Sequence, residues 1–104
     1  MSESNNPLAP FWVEVEGGER YQCRPLSGLD ALEVMPEIDI EEGILKYTGK
    51  GLRIAVMCGV IGREGHEGMF SKAHIKTLPP VDLYKLADAI LKATSWSGEQ
   101  QKNS

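Results

Sequence analysis

The segment running from Pro79-Pro80-Val81-Asp82-Leu83 to Ala93 constrains this chain more than any other. A proline pair opens it, and proline suits the first turn of a helix, where the amide it lacks would have no partner. Val81, Leu83, Tyr84, Leu86, Ala87, Ile90 and Leu91 then recur at helical spacing, while Asp82, Lys85, Asp88 and Lys92 fall on the other face. Such an apolar stripe must be covered, by the rest of a small domain or by a partner. A chain of 104 residues can hardly spare it, so the stripe is expected in the core.

Near the other end, Phe11-Trp12-Val13-Glu14-Val15-Glu16 alternates apolar residues with glutamates, as a half-buried strand does. Gly17-Gly18 marks a hairpin turn, because both glycines can adopt positive φ. Glu19 to Arg24 alternates again, with Tyr21 and Cys23 on one face and Arg20, Gln22 and Arg24 on the other, until Pro25 ends the strand. Phe11 and Trp12 are adjacent, so a strand sends them to opposite faces, which hints at a second apolar surface.

Between these ends, Ser27 is placed to cap a short helix through Leu29, Leu32, Glu33 and Val34 that Pro36 should stop. Glu37 to Glu42 reads as an acidic linker. Gly43 to Gly62 is the most apolar region, and periodicity leaves two readings open there: a helix from near Gly51, or a buried strand through Leu52 to Cys58. Gly62 to Gly68 reads as a glycine-rich loop, and Met69 to Leu78 as irregular chain or a short helical turn.

Composition excludes more than it suggests. Hydrophobic residues make up 41% and charged residues 25%, ordinary values for a globular domain. A net charge of −4 argues against a nucleic-acid binder, which needs a basic face for phosphates. No apolar run approaches the roughly 18 residues of a membrane span. The polar, acidic Met1 to Asn6 is unlike a signal peptide. Two cysteines, Cys23 and Cys58, make no disulfide framework and suit a reducing compartment, so a cytoplasmic location is expected.

Three motifs invite a catalytic reading, and each has a simpler one. Thr48-Gly49-Lys50-Gly51 resembles part of a phosphate-binding loop, but Gly43 lies one residue too far upstream and Gly51 stands where a magnesium-binding hydroxyl is required. The glycines of Gly62-Arg63-Glu64-Gly65-His66-Glu67-Gly68 do not make a dinucleotide fingerprint, and a surface loop fits them better. His66, Glu67, His74, Cys23 and Cys58 lack the close pairs of a zinc site, and Cys58 sits in an apolar run where a buried thiol is expected. The expectation is a non-enzyme without catalytic residues, cofactor or metal. Binding surfaces remain, and Phe11, Trp12, Tyr84 and Trp96 are the candidate partner contacts, although Trp96 also suits the edge of the core.

The order of these pieces carries a resemblance. A strand pair leads into Arg24-Pro25-Leu26-Ser27, a short helix ends at Leu32-Glu33-Val34, and Gly59-Val60 precedes a glycine-broken loop. The last helix then runs to Ser95-Trp96-Ser97-Gly98-Glu99-Gln100-Gln101-Lys102-Asn103. Over roughly residues 11 to 103 the chain resembles the small tail assembly chaperones of long-tailed bacteriophages and prophages, which share an "RPLS/T" after a strand, a "GV" pair and a polar S…E…KN ending. It departs from them at Ile61-Gly62-Arg63, where a tryptophan is common in that family.

The resemblance implies a protein of the host bacterial cytoplasm that coats the tape-measure protein until the tail tube polymerises. It also implies possible contact with the tube protein, and no nucleic acid or membrane. A homo-oligomer is compatible with it. Two other readings stay open: a tail-completion or head–tail connector subunit, and a small acidic regulator that binds a host factor. The fold expected is α+β, with an N-terminal antiparallel hairpin, room for a further strand, two or three helices packed on it, and a long amphipathic C-terminal helix. A leader over 1–10, one domain over 11–97 and a polar tail over 98–104 complete the expectation.

Overall fold

In the computed structural model, which describes residues 9–66 and 70–94, the first hairpin forms where the alternation places it. Strand β1 (Phe11–Glu14) pairs antiparallel with β2 (Arg20–Cys23), matching Phe11 with Cys23 and Val13 with Tyr21. The turn uses its glycines unequally. Gly18 alone takes positive φ, at 90°, and its amide donates to the Val15 carbonyl (2.9 Å) while the Val15 amide donates to Glu19 (2.9 Å). That is a three-residue turn closed by a left-handed glycine, not the two-glycine turn expected. Tyr21 and Cys23 are fully buried on one face of β2, as their spacing requires.

A third strand, β5 (Val60–Arg63), pairs antiparallel with the free edge of β2, so the sheet order is β1-β2-β5. This corrects the expectation of a loop from Gly62. A register shift between Gln22 and Cys23 lets Ile61 bulge out, which keeps Val60 in the core and places Gly62 opposite Gln22. The third strand also answers the marginal stability of a lone hairpin.

Ser27 stands at the N-cap of helix α1 (Gly28–Val34), but its side chain makes no capping bond. Helix α1 stops at Val34, and Pro36 continues the chain as a 3-10 turn over Met35–Glu37. The supposed acidic linker is a second hairpin. Strand β3 (Ile38–Glu41) pairs with β4 (Ile44–Tyr47) across a two-residue turn in which Glu42 (φ 52°) and Gly43 (φ 80°) both take the left-handed conformation of a tight hairpin. Acidic composition obscured a regular alternation, Ile38-Asp39-Ile40-Glu41.

Of the two readings left open for the central segment, the helix is the one that forms. Helix α2 (Gly49–Gly59) begins at Thr48, whose Oγ1 accepts from the Gly51 amide (3.1 Å) and donates to Glu37 Oε1 (2.6 Å). Thr48-Gly49-Lys50-Gly51 is therefore a capped helix start. Helix α2 packs closely on the last helix, α3 (Pro80–Ala93). A methyl group on Gly59 would lie 2.7 Å from Ile90 Cδ1, so only glycine permits that approach.

The buried stripe of α3 is Leu86, Ala87, Ile90 and Leu91, with Leu83 half-buried. Two residues assigned to it by spacing, Val81 and Tyr84, are exposed. Asp82 departs the other way. Rather than facing solvent, it is buried, and its Oδ1 accepts from the Glu16 amide (3.1 Å) at the first hairpin's turn. A carboxylate in the first turn of a helix is also favoured by the helix dipole. At the far end Thr94 Oγ1 donates to Ile90 O (2.7 Å) and accepts from the Leu26 amide (3.0 Å), which fastens the Arg24–Ser27 segment to α3. The expected leader (1–8 of it) and the polar tail lie outside the described residues.

Candidate protein-docking surfaces

Among the described residues, a cluster of hydrogen-bonded ionisable groups lies at one end of the three-stranded sheet. Glu19 follows the turn, Arg63 pairs with Tyr21 across β2 and β5, and His74 arrives on the 3-10 turn Lys72–Thr77. Tyr21 donates its hydroxyl proton to Glu19 Oε1 (2.6 Å), and the Tyr21 phenol oxygen lies 2.9 Å from His74 Nε2. A carboxylate can only accept, so the phenolic proton belongs to Glu19 and His74 Nε2–H must donate to the phenol oxygen. Arg63 Nη2 holds the other carboxylate oxygen.

The Tyr21 bond, then the Arg63 bond, hold the Glu19 carboxyl below its ordinary value. Burial, reinforced by Glu19, pushes the Tyr21 phenol well up. Every group is answered from within the cluster, and the phenol is made harder to ionise. This arrangement locks the 72–77 turn onto the sheet; it does not activate a nucleophile.

Neither cysteine is activated. Burial pushes the Cys23 thiol up to about 12, and burial with the nearby Asp30 carboxylate also raises that of Cys58. Cys23 is fully buried, whereas Cys58 is only partly so, contrary to the expectation of a buried thiol. Among the described residues no group of three or more His, Cys, Asp and Glu side chains is gathered as a metal site, and Glu67 lies outside them. Among the same residues no helix is long and apolar enough to cross a membrane.

What the fold does present is uncovered apolar surface, and the candidate residues divide over it. Phe11 turns inward and packs against the core. Trp12 turns outward, 41% exposed, with the Arg20 guanidinium 5.2 Å from its ring centroid; that arginine also pairs with Glu64 (3.0 Å). A cleft beside Trp12 is lined by Gln22 and Ile61 of the sheet and by Phe70. Tyr84 is 57% exposed on α3, its ring tilted against that of Tyr47 at 6.2 Å. The fold thus separates Trp12 from Tyr84, each with its own neighbour, and Trp96 lies outside the described residues.

Sequence reasoning missed a further surface. Leu29, Leu32 and Met35 recur every three residues along α1 and its extension, and Leu29 is 81% and Leu32 60% exposed. Val34 is the buried residue of that helix. The signal was present, since a seven-residue helix carrying Leu29, Leu32 and Val34 and followed at once by Met35 cannot turn all four into one core. No family model, curated protein or solved structure matches the chain.

Proposed function

We propose that this chain is a non-catalytic binding domain that serves as a tail assembly chaperone of a long-tailed bacteriophage or prophage. It works in the host bacterial cytoplasm, covering apolar stripes of the tape-measure protein until the tube polymerises around it. The observation that carries this reading is the run of exposed Leu29, Leu32 and Met35 on a domain whose core is already complete without them. Large apolar side chains left in water on consecutive turns of a helix mark a surface made for another chain. Sequence order supports the source of the partner, through Arg24-Pro25-Leu26-Ser27, Gly59-Val60 and the ending Glu99-Gln100-Gln101-Lys102-Asn103.

The mechanism needs only reversible burial. A long helical protein waiting for its tube exposes apolar stripes that would otherwise associate with one another, and a small acidic domain covering them replaces that contact with a charged, soluble surface. Polymerising tube subunits then displace it. Co-expression tests the reading: the tape-measure protein should stay in the soluble fraction with this chain, and precipitate without it or with Leu29→Asp/Leu32→Asp. Those residues are exposed, so the variant should fold. Mass spectrometry of purified particles should find the chain missing. Fixed stoichiometry in the particle would assign it instead to a tail-completion or connector subunit.

A further inference from the structure

We propose that the cleft between α2, the 72–77 turn and α3 is a docking groove for an amphipathic helix flanked by acidic residues. Val56 and Ile75 form its buried floor, half-buried Leu52, Met57 and Leu83 its walls, and the exposed Arg53 and Lys76 its rim; it encloses about 320 Å³. Its lining contains apolar and cationic residues and no acid.

Charge decides the occupant. The chain carries a net −4, and among the described residues Arg20, Lys46, Arg63 and Lys92 are matched with carboxylates in ion pairs. Arg53 and Lys76, at the mouth of an apolar groove, have no such partner among those residues. Just beside them, Lys72 donates to the Met57 carbonyl, and Lys50 and Glu33 line the neighbouring cleft with Arg53. Two exposed cations at the mouth of an apolar groove whose lining holds no acid are complementary to an apolar stripe bordered by carboxylates. Helix α2 spans 11 residues, about 16 Å, which matches three turns of a partner helix laid beside it.

The inference rests on the chaperone reading only for where such a helix would come from. The probe is a stapled amphipathic helix with leucines at i, i+3 and i+7 and glutamates on both flanks, compared with a twin whose flanks are lysines. Fluorescence anisotropy at low salt should show the glutamate helix binding about tenfold tighter, a preference that added salt reduces. The double variant Arg53→Glu/Lys76→Glu, with an unchanged circular dichroism spectrum, should invert the preference.

Equal affinity for the two helices, no binding of either, or a preference that survives the double reversal would overturn the proposal. Self-association of the chain that the double variant abolishes would also overturn it, assigning the groove to a second copy. Loss of tape-measure solubilisation with the helix preference intact would remove the chaperone reading and leave this one standing.

Discussion

The two hairpins of this protein are built from strands of the same length and end in opposite situations. In β1-β2, every residue of the inner face finds cover: Tyr21 and Cys23 are fully buried, Phe11 and Val13 pack against the core, and β5 pairs with the remaining edge of β2. In β3-β4 the sheet stays two strands wide. Ile38, Leu45 and Tyr47 pack against the core, but Ile40 on the same face is left 55% exposed, and Ile44 on the other 59%. Alternation is equally regular in both. The difference lies in what the rest of the chain brings over each face, and it separates a structural hairpin from one free to vary.

Three measurements press on that contrast. The largest effect belongs to Tyr21→Ala, which removes a fully buried ring and leaves Glu19 and His74 without the phenol that joins them. The expected loss is about 3–5 kcal/mol, read as a shift in the urea midpoint. A loss below about 1 kcal/mol would mean that the first hairpin is no more central than the second.

A smaller effect is expected for Glu19→Gln, and its pH dependence carries the information. The folded state holds the Glu19 carboxyl below its ordinary value of 4.5, chiefly through the Tyr21 hydrogen bond. A depressed carboxyl stabilises the fold above its unfolded pKa, and that stabilisation disappears as pH falls through the folded one. At neutral pH the variant should therefore be less stable by at most about 1 kcal/mol, since the side chain is 40% exposed. Wild type and variant should converge in acid. A difference that persists at acid pH would locate the effect in packing and not in charge.

The smallest effect is expected in the second hairpin. Ile40→Thr and Ile44→Thr keep a β-branched side chain at exposed positions and should change stability by no more than about 0.5 kcal/mol. A clearly larger loss would show that this sheet is covered in solution, and that the contrast between the hairpins is too strong.

Legibility followed the physics of burial. The first hairpin and α3 could be read from residue order because each turns one face to the core, and burial of a face imposes a period on the residues that supply it. The helix at α2 was one of two readings, since an apolar run of that length fits a buried strand as well; Thr48 capping Gly51 is the feature that separates them. The second hairpin was legible in principle from Ile38-Asp39-Ile40-Glu41 and Glu42-Gly43, but its acidity made it look like a linker. Strand β5 carried too weak a signal, because Gly62 has no side chain to alternate and Ile61 bulges from the register. Of the expected contacts, Trp12 and Tyr84 lie on the surface and Phe11 packs against the core, while the α1 stripe was written in the residue order and recognised only once the fold left it exposed.

By itself the sequence determined the local elements: a strand pair turning at Gly17-Gly18, and a helix from Pro80 with an apolar stripe running from Val81 to Leu91. Those follow from backbone preferences and from the period of apolar residues, which act over a few residues at a time. Only the tertiary structure decided which apolar residues were left over. Leu29 and Val34 are chemically alike and five positions apart on the same short helix, yet one is exposed and the other fully buried. The reason is geometric: a small core closes around α2 and α3 before it can reach both faces of α1. The side chains it leaves outside are what another chain can bind.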